Sequence, residues 1–434
     1  CIELSQKQDK TMKDSGIDWI GKIPDDWKVK RLKFVSKNRN EKYDKKYGIL
    51  DYFSLENIES QSGRYVETKN EYDISQSLIC KKEDVVFGKL RPYLAKVYKV
   101  EKLSCCSSEF AVFYNFEGNS SFLKYYFLSD GFVKIVDSST YGTKMPRANI
   151  DFIRNMKIPL PPLPEQTKIA NFLDKKCAQI DSIIEESKKS IEEYKSWKQS
   201  VIFEAVTGKN LSCKKKDSGI EWLGEIPEEW EVQRLKSYFN FKKGLPITKE
   251  NLEDSGISVI SYGQIHSKNN NGVSICNELI RFVDKSYLKS NSESLVKKGD
   301  FIFADTSEDL EGCGNCAYVN SDEIIFAGYH TIIFSSKYQN ENKYLAYLFL
   351  TDAWRTQIRC NCSGVKLFSI TKKILSKVSI ILPPISEQES IAKFLDAKCA
   401  QIDSLISEKQ SLIKDLAEYK KSLIFEAVTG KRRV

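Results

Sequence analysis

Histidine is nearly absent from this sequence, because only His266 and His330 occur among its 434 residues. Imidazole acid–base catalysis and histidine metal ligation therefore have few candidates. Long hydrophobic runs are missing too: none approaches the ~18 apolar residues of a membrane-spanning helix, and the first ten residues lack the apolar core of a signal peptide. We predict a soluble, cytoplasmic protein with no membrane partner. The chain begins at Cys1 rather than methionine, which leaves its natural start open.

Cysteine is thinly scattered, with twelve residues over the whole chain. Without an export signal, reduced thiols are the expected state. Four cysteines of the second half form two close pairs that could bind zinc together, namely Cys313, Cys316, Cys360 and Cys362. The Cys-x-Cys spacing is less usual for structural zinc, and the first half has no counterpart. We therefore predict unligated thiols and no metal site, and keep zinc as the alternative.

The chain repeats one plan twice. Residues 14–33 and 217–236 are identical at thirteen of twenty positions, and residues 160–209 and 382–431 are identical at thirty of fifty. The separation between matching residues grows from 203 to 222 along the chain. Two colinear, diverged copies with loop insertions produce such a steady drift. Each half therefore has a near-constant entry segment, a variable body and a near-constant exit segment.

The variable bodies match weakly and follow the same drift. KEDVVFGK around Asp84 aligns with KGDFIFAD around Asp300, 216 residues later, and Gly142 aligns with Gly364. Short β-branched and aromatic runs such as DVVFGKL and TIIFSS alternate with polar loops, which is typical of strands. Residues 122–128 and 344–350 read as short buried helices. Each body is therefore predicted to be a compact α+β domain.

The exit segments are predicted to be long helices that form a coiled coil. Proline pairs in LPPLPEQ stop the preceding strand, and glycines at Gly208 and Gly430 end the helices. Apolar residues then follow a sustained 4-3 spacing, which indicates a coiled-coil seam along a rod of roughly 60 Å. Cys177 and Cys399 occupy equivalent seam positions and are predicted to pack in the core. The other apolar seam residues are Leu173, Ile180, Ile184, Ile191, Tyr194, Val201, Leu395, Ile402, Ile406, Ile413, Leu416 and Leu423.

Two rods between two diverged domains suggest a spacer that holds two readers apart. An antiparallel pairing of the helices would relate the halves by a pseudo-twofold axis. At ~3.4 Å per base pair, such a rod would separate two DNA readers by one to two turns. The pattern alone equally fits a coiled-coil adaptor that binds other proteins.

The repeated segments resemble the specificity subunits of Type I restriction-modification systems over nearly the whole chain. The resemblance is carried by GIDWIGKIPDDW and GIEWLGEIPEEW at the entries, and by LPPLPEQTKIANFLD and LPPISEQESIAKFLD at the exits. AQIDSII, AQIDSLI and two copies of IFEAVTGK complete the set. The resemblance implies an α+β fold with two similar target-recognition domains, separated by two long helices that pair as an antiparallel coiled coil in a pseudo-twofold arrangement.

The predicted divisions follow from that architecture. They are an N-terminal arm at 1–13, target-recognition domain 1 at 14–164, spacer helix 1 with its linker at 165–216, target-recognition domain 2 at 217–386 and spacer helix 2 at 387–434.

The resemblance further implies a division of labour between subunits. This chain would read an asymmetric bipartite target in double-stranded DNA, and would dock two methyltransferase subunits and two restriction/translocase subunits. Those partners would use S-adenosylmethionine, ATP and Mg²⁺, whereas this chain would need no cofactor. A coiled-coil adaptor that does not bind DNA, or an orphan or defective specificity subunit, remains the alternative.

Motifs for catalysis within the chain are missing. No Asn/Asp-Pro-Pro-Tyr/Phe tetrapeptide for holding the target base of a methyltransferase occurs, and no GxxxxGK[ST] nucleotide loop occurs. The one dense glycine cluster, at residues 311–316, lacks a strand-to-helix context. The chain is therefore predicted to be a non-catalytic subunit.

Basic and polar loop residues are the predicted DNA contacts, because Arg and Lys suit phosphates and guanine, while Gln and Asn suit adenine. Residues 14–164 carry 25 Lys/Arg against 20 Asp/Glu, a net charge of +5, but residues 217–386 carry 19 against 21, a net charge of −2. The second domain must therefore bind through a local patch. The candidates are Lys37, Arg39, Lys45, Lys46, Lys89, Arg91, Lys144, Arg147, Lys242, Lys243, Gln264, His266, Lys268, Asn269, Lys366, Lys372 and Lys373.

Two further expectations concern aromatic side chains. His330, inside AGYHTIIF, is predicted to pack within a strand rather than to contact a base. Trp19 and Trp27 recur as Trp222 and Trp230 in the second entry segment. Their recurrence predicts that they pin each entry segment onto the core or a helix end.

Overall fold

The computed structural model describes residues 11–68, 76–142, 144–221, 223–338, 342–364 and 366–434. Trp222 therefore lies outside the described residues. The chain divides into two compact units: unit 1 comprises Cys1–Lys189 with Lys409–Val434, and unit 2 comprises Ser190–Glu408. Each unit thus combines one variable body with the first part of its own exit helix and the last part of the other exit helix. Among the described helices, none is long and apolar enough to cross a bilayer.

Unit 1 begins with short strands and ends in a long helix. Its strands are β1 (Met12–Asp14), β2 (Lys22–Pro24), β3 (Lys28–Arg31), β4 (Lys37–Arg39), β5 (Tyr52–Phe53), β6 (Leu78–Cys80), β7 (Val85–Gly88), β8 (Val97–Lys99), β9 (Ser104–Cys106), β10 (Phe110–Tyr114) and β11 (Lys157–Leu160). Its α-helices are α1 (Leu32–Val35), α2 (Ser120–Leu128), α3 (Asp130–Ser138), α4 (Ile150–Asn155) and the start of α5 (Leu163–Thr207), and residues 409–428 of the second long helix also belong to it.

The main sheet of unit 1 has the strand order β4-β10-β7-β8, and a second sheet has the order β5-β9-β6. The central strands β7 and β10 are antiparallel and almost completely buried. Their apolar faces suit this position because VVFG and FAVFY are rich in β-branched and aromatic residues. The helices α2 and α3 cover the sheet, and Phe127 stacks on Phe132 with ring centroids 4.9 Å apart.

Unit 2 repeats this order with more strands. Its strands are β12 (Lys215–Asp217), β13 (Glu225–Pro227), β14 (Glu231–Arg234), β15 (Phe239–Lys243), β16 (Ile257–Ile260), β17 (Arg281–Val283), β18 (Leu295–Val296), β19 (Phe301–Ala304), β20 (Thr306–Ser307), β21 (Cys316–Tyr318), β22 (Ile325–Ala327), β23 (Thr331–Ser336), β24 (Phe368–Ser369) and β25 (Ser379–Leu382). Its helices are α6 (Leu235–Tyr238), α7 (Tyr262–Ile265), α8 (Tyr287–Ser290), α9 (Lys343–Leu350), α10 (Asp352–Arg359), α11 (Lys372–Leu375) and the start of α12 (Ile385–Val428).

The sheets of unit 2 correspond to those of unit 1. The order β15-β23-β19-β21 matches β4-β10-β7-β8, and the second sheet has the order β17-β16-β22-β18. The short helices expected at residues 122–128 and 344–350 are present as α2 and α9, and both are buried. The predicted α+β class is confirmed.

The entry tryptophans fix each unit to two helix ends. In unit 1 the Trp27 Nε1–H donates to Glu165 Oε2 at 3.2 Å, and in unit 2 the Trp230 Nε1–H donates to Glu387 Oε2 at 3.0 Å. Glu165 and Glu387 lie in the first turns of α5 and α12. The same rings border the glycines that end the opposite helices: Gly430 meets Trp27, and Gly208 meets Trp230. Both glycines have positive φ angles, of 73° and 67°, which end a helix without strain.

The twelve apolar seam residues predicted above, with Cys177 and Cys399, are buried or half-buried in the two long helices. Burial raises the pKa of the Cys177 thiol to about 11. Within unit 1 the Lys420 ammonium contacts Asp181 at 2.7 Å, and within unit 2 Lys198 contacts Asp403 at 2.7 Å. The repeat aligns Asp181 with Asp403 and Lys198 with Lys420, so each unit contains one copy of the same ion pair.

Candidate nucleic-acid interface

Three segments of unit 1 meet at the end of the sheet where strand β7 ends and strand β10 begins. Strand β7 ends at Gly88, and the next residue, Lys89, donates its backbone N–H to the carbonyl of Glu109 at 2.8 Å, just before β10. The backbone N–H of Ala148 in turn donates to the carbonyl of Lys89 at 2.9 Å. These bonds bring Lys89, Glu109 and Arg147 together at one end of the two central strands. We call this end of the sheet the strand-end edge.

Arg147 is held at this edge by a carboxylate and stays accessible. Its Nη2 donates to Glu109 Oε1 at 2.7 Å, and its side chain is 48% exposed. The second carboxylate oxygen, Glu109 Oε2, is buried and has no hydrogen-bond partner among the described residues. Lys89 is half-buried beside them, and burial lowers the pKa of its ammonium, which the charge of Glu109 partly offsets.

Unit 2 builds the same edge with the same backbone bonds. Asp305 follows β19 and donates its backbone N–H to the carbonyl of His330 at 3.1 Å, just before β23. Ile370 donates its backbone N–H to the carbonyl of Asp305 at 2.8 Å, as Ala148 does to Lys89. The positions of Lys89, Glu109 and Arg147 are therefore taken in unit 2 by Asp305, His330 and Ser369.

His330 does not pack within a strand, so that prediction was wrong. It lies in the turn before β23 with a φ of 54°, an uncommon backbone conformation for a residue other than glycine. The turn directs its side chain outward, 56% exposed, where Nδ1 contacts Asp305 Oδ1 at 3.3 Å. Because a carboxylate accepts hydrogen bonds, Nδ1 is the donor in this contact.

Arg39 is a predicted DNA contact of unit 1 whose side chain is largely buried. Its guanidinium makes two hydrogen bonds to the buried carboxylate of Asp84, at 3.1 and 3.2 Å, and lies over the Tyr114 ring. With its side chain only 12% exposed, it stabilises the sheet and is not available to a phosphate. The other unit 1 candidates outside the strand-end edge are exposed: Lys37, Lys45, Lys46, Arg91 and Lys144.

Two polar candidates of unit 2 are likewise engaged in structural bonds. The His266 ring contacts the carbonyl of Thr306 at 2.9 Å through Nε2 and the amide of Asn315 at 3.1 Å through Nδ1. Gln264 accepts the backbone N–H of Ser261 at 3.1 Å and thereby caps α7. Their neighbours Lys268 and Asn269 are exposed.

The lysines of unit 2 frame a groove at the strand-end edge. Lys243 ends the edge strand β15, and Lys372 lies in the first turn of α11; both line the groove with Asp305 and His330. The Lys372 ammonium donates to the carbonyl of Phe241 at 3.0 Å and is half-buried. Three further candidates, Lys242, Lys366 and Lys373, are exposed. The groove is therefore locally basic although the unit as a whole is not.

The four cysteines considered for zinc do not assemble. Cys313 lies next to Cys362, and Cys316 is buried, whereas Cys360 is exposed. No group of three or more metal-ligating side chains occurs within the part of the chain that the structure describes. Burial raises the pKa of the Cys316 thiol to about 12.

Sequence reasoning missed Glu109, Asp305, His330 and Ser369 as site residues. A signal was present, because the KEDVVFGK and KGDFIFAD alignment places Lys89 opposite Asp305. These equivalent positions carry opposite charges at the end of a matched strand. Such a difference indicates that the two copies bind different groups at this surface.

Two α+β units with matching main sheets make this chain a tandem-repeat α+β protein, with different charged groups at the matched strand ends. The chain belongs to the Type I restriction modification DNA specificity domain family, whose model matches residues 24–193 and 227–415. These two segments keep the separations of 203 and 222 residues found in the sequence. The resemblance to Type I specificity subunits is thereby confirmed. The family is that of the non-catalytic specificity subunit, which recognises DNA targets and assembles with methyltransferase and restriction subunits.

Relatives match nearly the whole chain at low identity. The Type I restriction enzyme MjaVIII specificity subunit of Methanocaldococcus jannaschii is 24% identical over 433 residues, covering 95% of this chain and 94% of the relative. A solved chain reported under complex assembly and conformational transition of the type I R-M system is 19% identical, with a TM-score of 0.70, covering 94% and 99%. The HsdS subunit from Thermoanaerobacter tengcongensis is 20% identical, with a TM-score of 0.55, covering 94% and 98%.

Proposed function

We propose that this chain reads an asymmetric, bipartite target in duplex DNA, with one half-site for each unit. The observation that carries the proposal is the matched strand-end edge of the two units. The same backbone hydrogen bonds present Lys89, Glu109 and Arg147 in unit 1 but different side chains in unit 2. Base edges are distinguished by the donors and acceptors that meet them, so different side chains on one scaffold read different sequences.

The long helices would set the unread gap between the half-sites. Helix α5 has 45 residues and α12 has 44, so each is about 65 Å long. At ~3.4 Å per base pair, a rod of this length spans close to two turns of duplex DNA. A rigid helix pair therefore fixes one gap length rather than a range.

Two copies of the methyltransferase subunit would dock on this chain, because each unit carries an equivalent exposed apolar pair on its helices. Unit 1 exposes Ile183 of α5 with Tyr419 of α12, and unit 2 exposes Leu405 of α12 with Trp197 of α5. The repeat aligns Ile183 with Leu405 and Trp197 with Tyr419, so each unit presents one aliphatic and one aromatic side chain. Exposed aromatic residues of this kind are typical anchors of protein interfaces.

The complete assembly would contain two restriction/translocase subunits as well and would act on DNA in the cytoplasm. The methyltransferase subunits would use S-adenosylmethionine and reach an adenine in each half-site by flipping it out of the duplex. The restriction subunits would use ATP and Mg²⁺. This chain would recognise the DNA sequence, and its strand-end residues would contribute to recognition and not to catalysis.

Mapping of methylated adenines tests this function. The chain is co-expressed with the methyltransferase subunit of the same genome in a host without adenine methylation, and the host genome is sequenced by a method that detects methyladenine. We expect a single asymmetric motif in two parts with one fixed gap. A stable complex without methylation would instead indicate an orphan or defective reader. Failure to form a complex, together with no salt-sensitive binding to duplex DNA, would favour the adaptor.

A further inference from the structure

We propose that Arg147 reads the guanine of a G·C pair in the half-site of unit 1, with Glu109 as its positioning residue. In unit 2 the matched positions are taken by Asp305, His330 and Ser369, so its half-site is read without that guanidinium. This inference rests on the proposed function and names the residue and the base chemistry through which unit 1 makes its choice.

The backbone makes the two edges equivalent. The bond from Lys89 N–H to the Glu109 carbonyl has its counterpart in the bond from Asp305 N–H to the His330 carbonyl. The segments that follow, with Arg147 in unit 1 and Ser369 in unit 2, are tied to this edge by the same kind of bond. Both edges therefore present three side chains from matched positions, although the backbone at His330 has a positive φ that the backbone at Glu109 does not have.

The chemistry of the unit 1 edge suits guanine. A guanidinium is a planar fork that can donate two parallel hydrogen bonds to O6 and N7 of guanine in the major groove. Arg147 is nearly half exposed, yet the bond from its Nη2 to Glu109 restricts the rotamers that it can adopt. A restrained guanidinium loses less entropy on binding than a free one, so Glu109 favours recognition without contacting the base.

The unit 2 edge cannot make that contact, because Ser369 stands where unit 1 has Arg147. Its accessible group is the His330 ring, oriented by the carboxylate of Asp305 at 3.3 Å. An imidazole lacks the planar fork of donors that a guanidinium offers, so this edge meets a base pair with a different hydrogen-bonding pattern. Lys243 and Lys372 line the same groove and suit the neighbouring phosphates. In both units a carboxylate thus orients a nitrogen-bearing side chain, but the two partners come from different segments.

Two variants of Arg147 separate base reading from phosphate binding. The wild type, Arg147→Ala and Arg147→Lys are each co-expressed with the methyltransferase subunit, and the methylated motifs are mapped. A lysine keeps the charge but loses the planar fork. Both variants should therefore relax one G·C position of one half-site, with about a 5- to 150-fold loss of discrimination there. The other half-site and the gap should stay as strict as in the wild type.

Glu109 is tested by rescue. Glu109→Ala should relax the same G·C position as Arg147→Ala, whereas Glu109→Gln keeps an acceptor for Nη2 and should keep the motif. Unchanged thermal unfolding of the complexes would show that the variants fold. A purely structural Glu109 would lower the unfolding temperature and leave the motif intact, which would overturn its role.

The outcomes distinguish this inference from the proposed function. If the wild type methylates a bipartite motif and Arg147→Lys leaves every position equally strict, Arg147 contacts a phosphate or nothing, and the inference is wrong. Uniformly weaker methylation of an unchanged motif by Arg147→Ala would contradict it in the same way. If the wild type itself yields no bipartite motif, the proposed function fails first.

Discussion

The two units differ least where they hold the helices and most where their central strands end. Trp27 and Trp230 make the same bonds to Glu165 and Glu387, at 3.2 and 3.0 Å. At the strand ends the paired acidic and basic groups come from different segments. The position that Glu109 occupies in unit 1 is occupied by His330 in unit 2. The buried tryptophan contacts therefore preserve the same fold in both units, whereas the exposed strand-end side chains differ.

The largest expected effect comes from removing a shared inward contact. Trp27→Ala or Trp230→Ala deletes a fully buried ring and leaves Glu165 or Glu387 without its indole donor. Each should lower the free energy of unfolding by about 3–5 kcal/mol, measured by chemical denaturation. Gln233→Ala, a half-exposed position of β14, serves as the control and should stay within about 0.5 kcal/mol of the wild type. A clear difference between the two tryptophan variants would break the equivalence of the units.

A smaller effect, on assembly, should follow from charging the exposed apolar pairs. Trp197→Glu and Tyr419→Glu each place a charge at one proposed docking face and should weaken one methyltransferase contact by about 2 kcal/mol or more. Native mass spectrometry should then find complexes with one methyltransferase subunit instead of two. Lys195→Glu, at an exposed position of α5, should leave the stoichiometry unchanged. Two subunits retained by both apolar variants would place docking elsewhere.

The matched ion pairs of the helices should give the smallest difference. Lys420 is 8% exposed and its partner Asp181 is half-buried, whereas Lys198 is 24% exposed and Asp403 is exposed. Lys420→Ala leaves a carboxylate partly desolvated and should cost about 1–3 kcal/mol of stability, whereas Lys198→Ala should cost under about 1 kcal/mol. Thermal unfolding of the two variants checks the order. Equal losses would show that burial does not distinguish the two pairs.

Periodic patterns in the sequence predicted the elements that depend on them. The 4-3 spacing and the terminal glycines predicted both long helices, and the repeat offsets predicted two units on one plan. The division of each helix between units could not be predicted, because it depends on long-range packing such as Trp27 against Gly430. The motif resemblance predicted the family, and the family match confirms it.

The site was only partly accessible from sequence. Counting positive charges pointed to Lys89 and Arg147, but it also selected Arg39, whose charge is satisfied by the buried Asp84. It passed over Glu109 because a carboxylate is not an obvious DNA contact. His330 was assigned to a strand because its neighbours are apolar, whereas its positive φ puts it in a turn. Partners that lie far apart in sequence decide whether a charged side chain is free.

A graft within the chain tests whether the recognised DNA sequence is divided between the two units. Residues 34–159 of unit 1 are replaced by residues 237–381, the matching segment of unit 2, and the methylated motif of the graft is mapped beside that of the wild type. We expect a bipartite motif in which both halves are the half-site of unit 2, with the original gap. A folded, methylating graft that still requires the half-site of unit 1 would contradict it.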